Sequence, residues 1–150
     1  VELRTESNPA FNTVTAFGRD YIEINEVPYG HAVYFGPTGE IKPWAVQTVA
    51  DISASLLRDV AGLGAVTTDP LAFLDADAAE QKPADAPEVI LIGTGLKQHF
   101  LPPHVTQSLL ALGIGVESMS TQAAARTYNI LMSEGRHVIA ALLPYEDATL

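Results

Sequence analysis

The residues best suited to chemistry in this chain gather where strands are predicted to end. Val89-Ile90-Leu91-Ile92 is a continuous apolar run, and Gly93-Thr94-Gly95 closes it, with Lys97 just beyond. A glycine turn after a buried strand invites comparison with phosphate-binding loops. A dinucleotide fingerprint needs a third glycine, but position 98 is Gln98. It also needs a helix to open at once, and the first helix signal, Pro102, comes seven residues after Gly95. No Gly-Lys-Ser/Thr occurs, so a Walker loop fails as well. The turn then reads either as a tight bend using glycine's backbone freedom or as half of a cradle for a small anion.

The second half of that cradle is Glu117, Ser118, Ser120 and Thr121, at the end of a second predicted strand. Glu117 stands where a general acid or base would be useful; the alternative is pairing with Arg126 or Arg136. Ser118 and Ser120 have no base nearby, and no Gly-x-Ser-x-Gly elbow is present. His31, His99, His104 and His137 lack the helical spacing of a zinc pair, and Pro102-Pro103 separates His99 from His104. With no cysteine, thiolate metal sites, disulfides and cysteine nucleophiles are excluded. No metal site or cofactor is expected, and no complete catalytic set is legible, so catalytic residues stay unassigned.

The elements that must position these residues form two groups. Thr13 to Phe17, Tyr21 to Ile24, His31 to Phe35 and Ile41 to Val46 read as strands, with turns at Gly18-Arg19-Asp20, Asn25-Glu26 and Gly36-Pro37-Thr38-Gly39. A meander is the simplest arrangement, with Pro43 suiting an edge. Trp44 then either anchors the meander to the rest of the fold or offers an exposed anchor to a partner. Ser53 is a helix cap over Ala54 to Ala61, and Asp69-Pro70 is a second cap. Asp75 to Glu88 reads as an exposed acidic loop rich in Ala and Pro, and residues 1–12 as a flexible lead-in.

From Val89 onward the alternation is clean. A helix opens at Pro102-Pro103 and stops at Gly113; Ile114 to Met119 is a strand; Ser120 or Thr121 caps a helix to Glu134; Val138 to Leu143 is the last strand. Strand, helix, strand, helix, strand implies a parallel β-α-β-α-β unit whose strand-to-helix turns share one edge. Ligands in such sheets sit at that carboxyl edge. On the Ser120 helix, Ala124, Tyr128 and Leu131, with Thr127 beside them, should face the sheet. Gln122, Arg126, Asn129 and Ser133 form a polar stripe, read either as a solvated face or as a binding face.

The chain has 150 residues, one domain's worth, with 47% hydrophobic and 17% charged residues, as in a soluble globular protein. Its formal net charge of −10 argues against nucleic acid and anionic membrane surfaces. No apolar run approaches a bilayer span.

Ile92-Gly93-Thr94-Gly95, Gly113 to Met119, Ala123-Ala124 with Arg126-Thr127-Tyr128-Asn129, and Glu134-Gly135-Arg136 together resemble the archaeal Mth-type domains of unknown function. That family includes a mitochondrial complex I assembly factor and an adipogenesis-associated protein. The resemblance runs from about Thr13 to Pro144. It implies a three-layer α/β fold, a central mixed sheet with helices on one side and a β-hairpin or meander on the other. It implies no enzymatic activity and, for the mitochondrial members, a role in complex assembly through protein partners. The expected function is therefore a non-enzymatic protein-binding or assembly module, cytoplasmic, or in the mitochondrial matrix for a eukaryotic source. The alternative is a small-molecule or anion-binding protein, with an enzyme left open, whose site comprises Gly93, Thr94, Gly95, Lys97, Glu117, Thr121 and Arg126.

Overall fold

The computed structural model describes residues 11–63 and 81–144. The Asp69-Pro70 cap, residues 75–80 of the acidic loop and most of the lead-in lie outside them. Strands β1 (Val14–Phe17), β2 (Ile22–Ile24) and β3 (Val27–Tyr29) form a small antiparallel sheet. Asn25 and Glu26 turn the β2–β3 hairpin with φ of 53° and 67°, the positive values that a two-residue hairpin turn demands and that Asn tolerates best. The Asn25 side chain accepts from Thr13 N and donates to Asn12 Oδ1, at 3.0 and 2.9 Å. Asn12, expected in the flexible lead-in, is instead buried and donates to the carbonyls of Gly36 and Gly39.

The meander stops at β3. Strand β4 (Val33–Phe35) belongs to a second, five-stranded sheet with β5 (Lys42–Pro43), β6 (Val89–Gly93), β7 (Gly115–Met119) and β8 (Val138–Leu142), in the order β5-β4-β8-β6-β7. Val33, Tyr34 and Phe35 are apolar on both faces of the strand, which suits an interior place between two neighbours better than a half-solvated meander. Strand β5 takes the edge anticipated from Pro43 but is much shorter than Ile41 to Val46. Strands β7, β6 and β8 are mutually parallel, while β4 runs antiparallel to β8.

Chain direction explains the layering. From β6 the chain steps sideways through α2 (Pro103–Ala111) to β7, then returns across β6 through α3 (Thr121–Ser133) to β8. Crossovers of one hand taken in opposite directions put their helices on opposite faces. Ile90 and Ile92 accordingly pack with Leu57 and Val60 of α1 (Ala54–Val60) and with Val105 and Leu109 of α2. Leu91, from the other face of β6, packs with Ala124, Ala125 and Tyr128 of α3 and with Val14, Ile22 and Ile24 of the small sheet. The result is three layers around a mixed central sheet, with α3 seated beside the small sheet.

Helix ends follow their capping chemistry. Ser53 accepts from Leu56 N and Ser120 from Ala123 N, each worth about 1 kcal/mol. Arg58, unusual in being buried, donates to Ser108 Oγ at 2.7 Å and so ties α1 to α2. The Tyr128 ring meets Phe35 edge-on at 4.9 Å, and its hydroxyl donates to Asn12 O at 2.7 Å. Burial pushes that phenol well above the usual tyrosine range.

Asn129 departs from the anticipated polar stripe. It is 2% exposed; its Oδ1 accepts from Val14 N at 3.0 Å, and its Nδ2 donates to Val14 O at 2.9 Å. The amide thus bonds to one residue of β1 as a neighbouring strand would.

Candidate functional site

The three parallel strands do bring their carboxyl ends to one rim, and the rim is stitched shut by its own groups. Thr94 N donates to Met119 O, Leu143 N to Gly93 O and Thr121 N to Gly95 O, each at 2.9 Å. The Thr121 hydroxyl accepts from Gly95 N at 2.9 Å and donates to Leu143 O at 2.7 Å. The Thr94 hydroxyl lies 2.6 Å from Lys97 O and 3.1 Å from Met119 O, and accepts from His99 N. Both threonines are buried. A Cβ on Gly93 would sit 2.8 Å from Leu142 Cδ2 and 2.9 Å from Thr121 Oγ1, so glycine is required by close packing. Gly95 has φ of +94°, which accounts for the second glycine by conformation.

These contacts correct the anion cradle. At the N-terminus of α3, the Thr121 and Ala123 N–H groups are met by Gly95 O and Ser120 Oγ, so these donors are not offered to a ligand. Lys97 contributes its carbonyl to the turn, and its side chain is exposed. Glu117 is exposed in the body of β7, paired in register with Leu91, and is not at the strand end. Arg126 is exposed and donates to the side-chain oxygen of Gln122 at 3.2 and 3.0 Å, in the amide orientation that hydrogen bonding requires. Arg136 pairs with Glu88 at 3.7 Å. Gly93, Thr94, Gly95 and Thr121 therefore come together, whereas the side chains of Lys97, Glu117 and Arg126 do not join them in a concave site.

A cleft of about 920 Å³ does open at this rim, on the β8 side of β6. One wall is Thr94, Gly95, Leu143 and Pro144. The other wall comes from the first half of the chain, which the sequence reading left out of the site. Because β4 runs antiparallel to β8, with Val33 opposite Leu142, its beginning lies at the carboxyl ends of the parallel strands. Strand β5 runs back beside it, with Pro43 opposite Val33, and brings the next residues to the same rim. The cleft thus receives Gly30, His31 and Ala32 before β4, and Trp44, Val46 and Gln47 after β5. Asp20 and Asp51 complete its polar lining. In the sequence Asp20 stands only in the turn Gly18-Arg19-Asp20, and nothing local links it to Thr94.

Trp44 is 5% exposed and packs in the core cluster with Ala32 and Val46, so it is an internal anchor and not a protruding one. Its Nε1 has no hydrogen-bond partner among the described residues, and an unmet buried donor costs about 1–3 kcal/mol. Asp51 Oδ2 accepts from Thr48 N at 3.0 Å and Gln47 N at 3.1 Å. Those bonds, Thr48's first, hold its carboxyl below the usual carboxylate range. Among the described residues no group of His, Asp and Glu is arranged to hold a metal ion.

A family model described as "Protein of unknown function (DUF498/DUF598)" matches residues 14–143. The solution structure of a Mth938-like domain from Bordetella pertussis is 56% identical, with a TM-score of 0.75, over 99% of this chain and 96% of that one. A crystal structure of a Bordetella parapertussis protein is 51% identical, with a TM-score of 0.73, over 92% and 99%. An uncharacterised protein of Rhodobacter capsulatus is 44% identical over 53% of this chain and 64% of its own length. NADH dehydrogenase [ubiquinone] 1 alpha subcomplex assembly factor 3 of Bos taurus is 42% identical over 41% and 34%. These matches thus span from about a third to just under two thirds of the curated relatives' lengths.

Proposed function

The chain belongs to the DUF498/DUF598 family, and from that premise we propose that it is a non-enzymatic protein-binding module serving the assembly of a larger complex. The observation that carries this reading is the connection between β6 and α2. There Phe100 is 83% exposed and Leu96 45% exposed, beside a rim whose polar groups are bonded internally. Aromatic and aliphatic side chains presented on a braced loop are what a protein partner buries at the centre of an interface. The likeness to assembly factors supplies the kind of partner: a subunit of a respiratory NADH dehydrogenase or another protein of its assembly. A cytoplasmic location, or the matrix for a eukaryotic source, goes with this role. Among the described residues no helix is long and apolar enough to cross a membrane.

Affinity capture with the wild-type chain and with a Leu96→Ser/Phe100→Ser variant tests it. The wild type should recover a defined partner that the variant loses while keeping its circular dichroism spectrum. Capture of no partner from cells in which the chain is abundant would count against the assembly role, and equal capture by the variant would dismiss this surface.

The cleft favours a second reading, a small-molecule site at the Thr94–Gly95 side of the rim. Its volume of about 920 Å³ lies within the range of ligand pockets. It also lies where chain direction reverses across β6, the usual ligand position in open α/β sheets. A thermal-shift screen against metabolites tests it; saturation at 100 times the dissociation constant adds about 2.7 kcal/mol of stability.

A further inference from the structure

We infer that the occupant of the cleft between the ends of β6 and β8 is a small organic cation, an ammonium on a short apolar body. This rests on the small-molecule reading of the cleft and names its ligand class. The ionisable lining among the described residues is Asp20, Asp51 and His31, with neither Lys nor Arg. The chain's formal charge is −10. An anion entering here would meet carboxylates and an unfavourable overall field, whereas a cation meets attraction at both scales.

The donors that would have held an anion are already engaged. Gly95 N donates to Thr121 Oγ1, Thr121 N to Gly95 O, and the Thr94 and Thr121 hydroxyls to backbone carbonyls. Asp51 is the opposite case. Two backbone N–H groups fix its carboxylate in the cleft lining, so its negative charge is positioned before any ligand arrives. The remaining wall, Ala32, Trp44, Val46, Leu143 and Pro144, is apolar, and it includes an indole of the kind that attracts ammonium groups. Trp44 Nε1 is buried without an acceptor among the described residues, close enough to the cleft lining for its N–H resonance to report on an occupant.

Phenylethanolamine, phenyl ethylene glycol and mandelate share one phenyl-carbinol frame and end in an ammonium, a neutral hydroxyl and a carboxylate. Titrating the whole chain with each, and following the indole N–H resonance of its one tryptophan, reads the cleft directly. The amine should shift that resonance saturably, bind about fivefold more tightly than the glycol, the effect of one exposed charge pair, and exceed mandelate by more. Asp20→Asn and Asp51→Asn should each remove about half of that advantage, roughly twofold in affinity for the amine, and leave the glycol unchanged. Asp20 takes no part in the turn that Asp51 braces, so it keeps the test valid if Asp51→Asn disturbs folding. Ala45→Phe, at an exposed lining position, should block all three compounds. Mandelate binding as tightly as the amine would overturn the cation assignment and leave the small-molecule reading standing. No response to any of the three would overturn both.

Discussion

Replacing Thr121 by Val tests whether the rim is held by the hydroxyl stitch. Valine keeps the β-branched shape at the first position of α3 and removes one oxygen. That oxygen accepts from Gly95 N at 2.9 Å and donates to Leu143 O at 2.7 Å, both in buried surroundings. A buried backbone group left without its partner costs about 1–3 kcal/mol, so two orphans cost about 2–6 kcal/mol. Burying the added methyl returns about 1 kcal/mol. The cleft is adjacent, so water can reach part of the gap, and the expected loss is toward the low end, about 2–3 kcal/mol. Urea unfolding gives this loss from the shift in midpoint at constant slope, and the melting temperature should fall by about 4–12 °C. Thr121→Ser is the control: it keeps the hydroxyl and gives up one methyl, about 1 kcal/mol. If Thr121→Val is as stable as the wild type, or Thr121→Ser is the worse of the two, packing and not the oxygen holds the rim.

Other outcomes follow from the same geometry. Gly93→Ala drives a methyl to within 2.8–3.0 Å of Leu142 and Thr121 and should cost about 1–3 kcal/mol in urea unfolding; an unchanged midpoint would mean the strand ends can part. Asn129→Ala removes both bonds to Val14 and should cost about 2–4 kcal/mol. Hydrogen exchange should rise in β1 to β3 while β6 and β8 stay protected, and a uniform rise would contradict this. The Asp51 carboxyl is lowered from 3.8, so its contribution is complete above that value and disappears as pH falls through the lower folded value. Melting curves of wild type and Asp51→Asn, separate at neutral pH, should therefore converge in acid; a gap that persists there would assign the difference to something other than ionisation.

The C-terminal half was legible because its signals are local. Pro102-Pro103, Gly113, Ser120 and Gly135 punctuate segments whose apolar content fixes the element type, and alternation then implies parallel strands. The first half hid its partners. Whether Val33 to Phe35 pairs with β3 or with β8 depends on a strand more than a hundred residues away in sequence, and no local pattern encodes that choice. The same pairing carries His31, Trp44 and Gln47 to the rim, so the second wall of the cleft was out of reach. Thr94 and Thr121 do reach the common rim, but the sequence could not reveal that their hydroxyls are bonded to backbone. Asn129 was misassigned because an amide on a helix reads as solvent-facing. Its partner, Val14, stands 115 positions away, and only the tertiary fold makes a buried amide affordable there.

The Asn129 amide has a further consequence for how this domain can vary. Both of its bonds to Val14 go to that residue's peptide group, so the demand of this contact falls on one side. Any residue that presents an N–H and a C=O satisfies the contact at position 14, subject to the size its core site allows. At position 129 a carboxamide of that length is needed, since a shorter or charged group loses one of the two bonds. Drift along this lineage should therefore leave position 14 free among apolar residues while position 129 stays fixed, an asymmetry that a side-chain-to-side-chain contact would not produce.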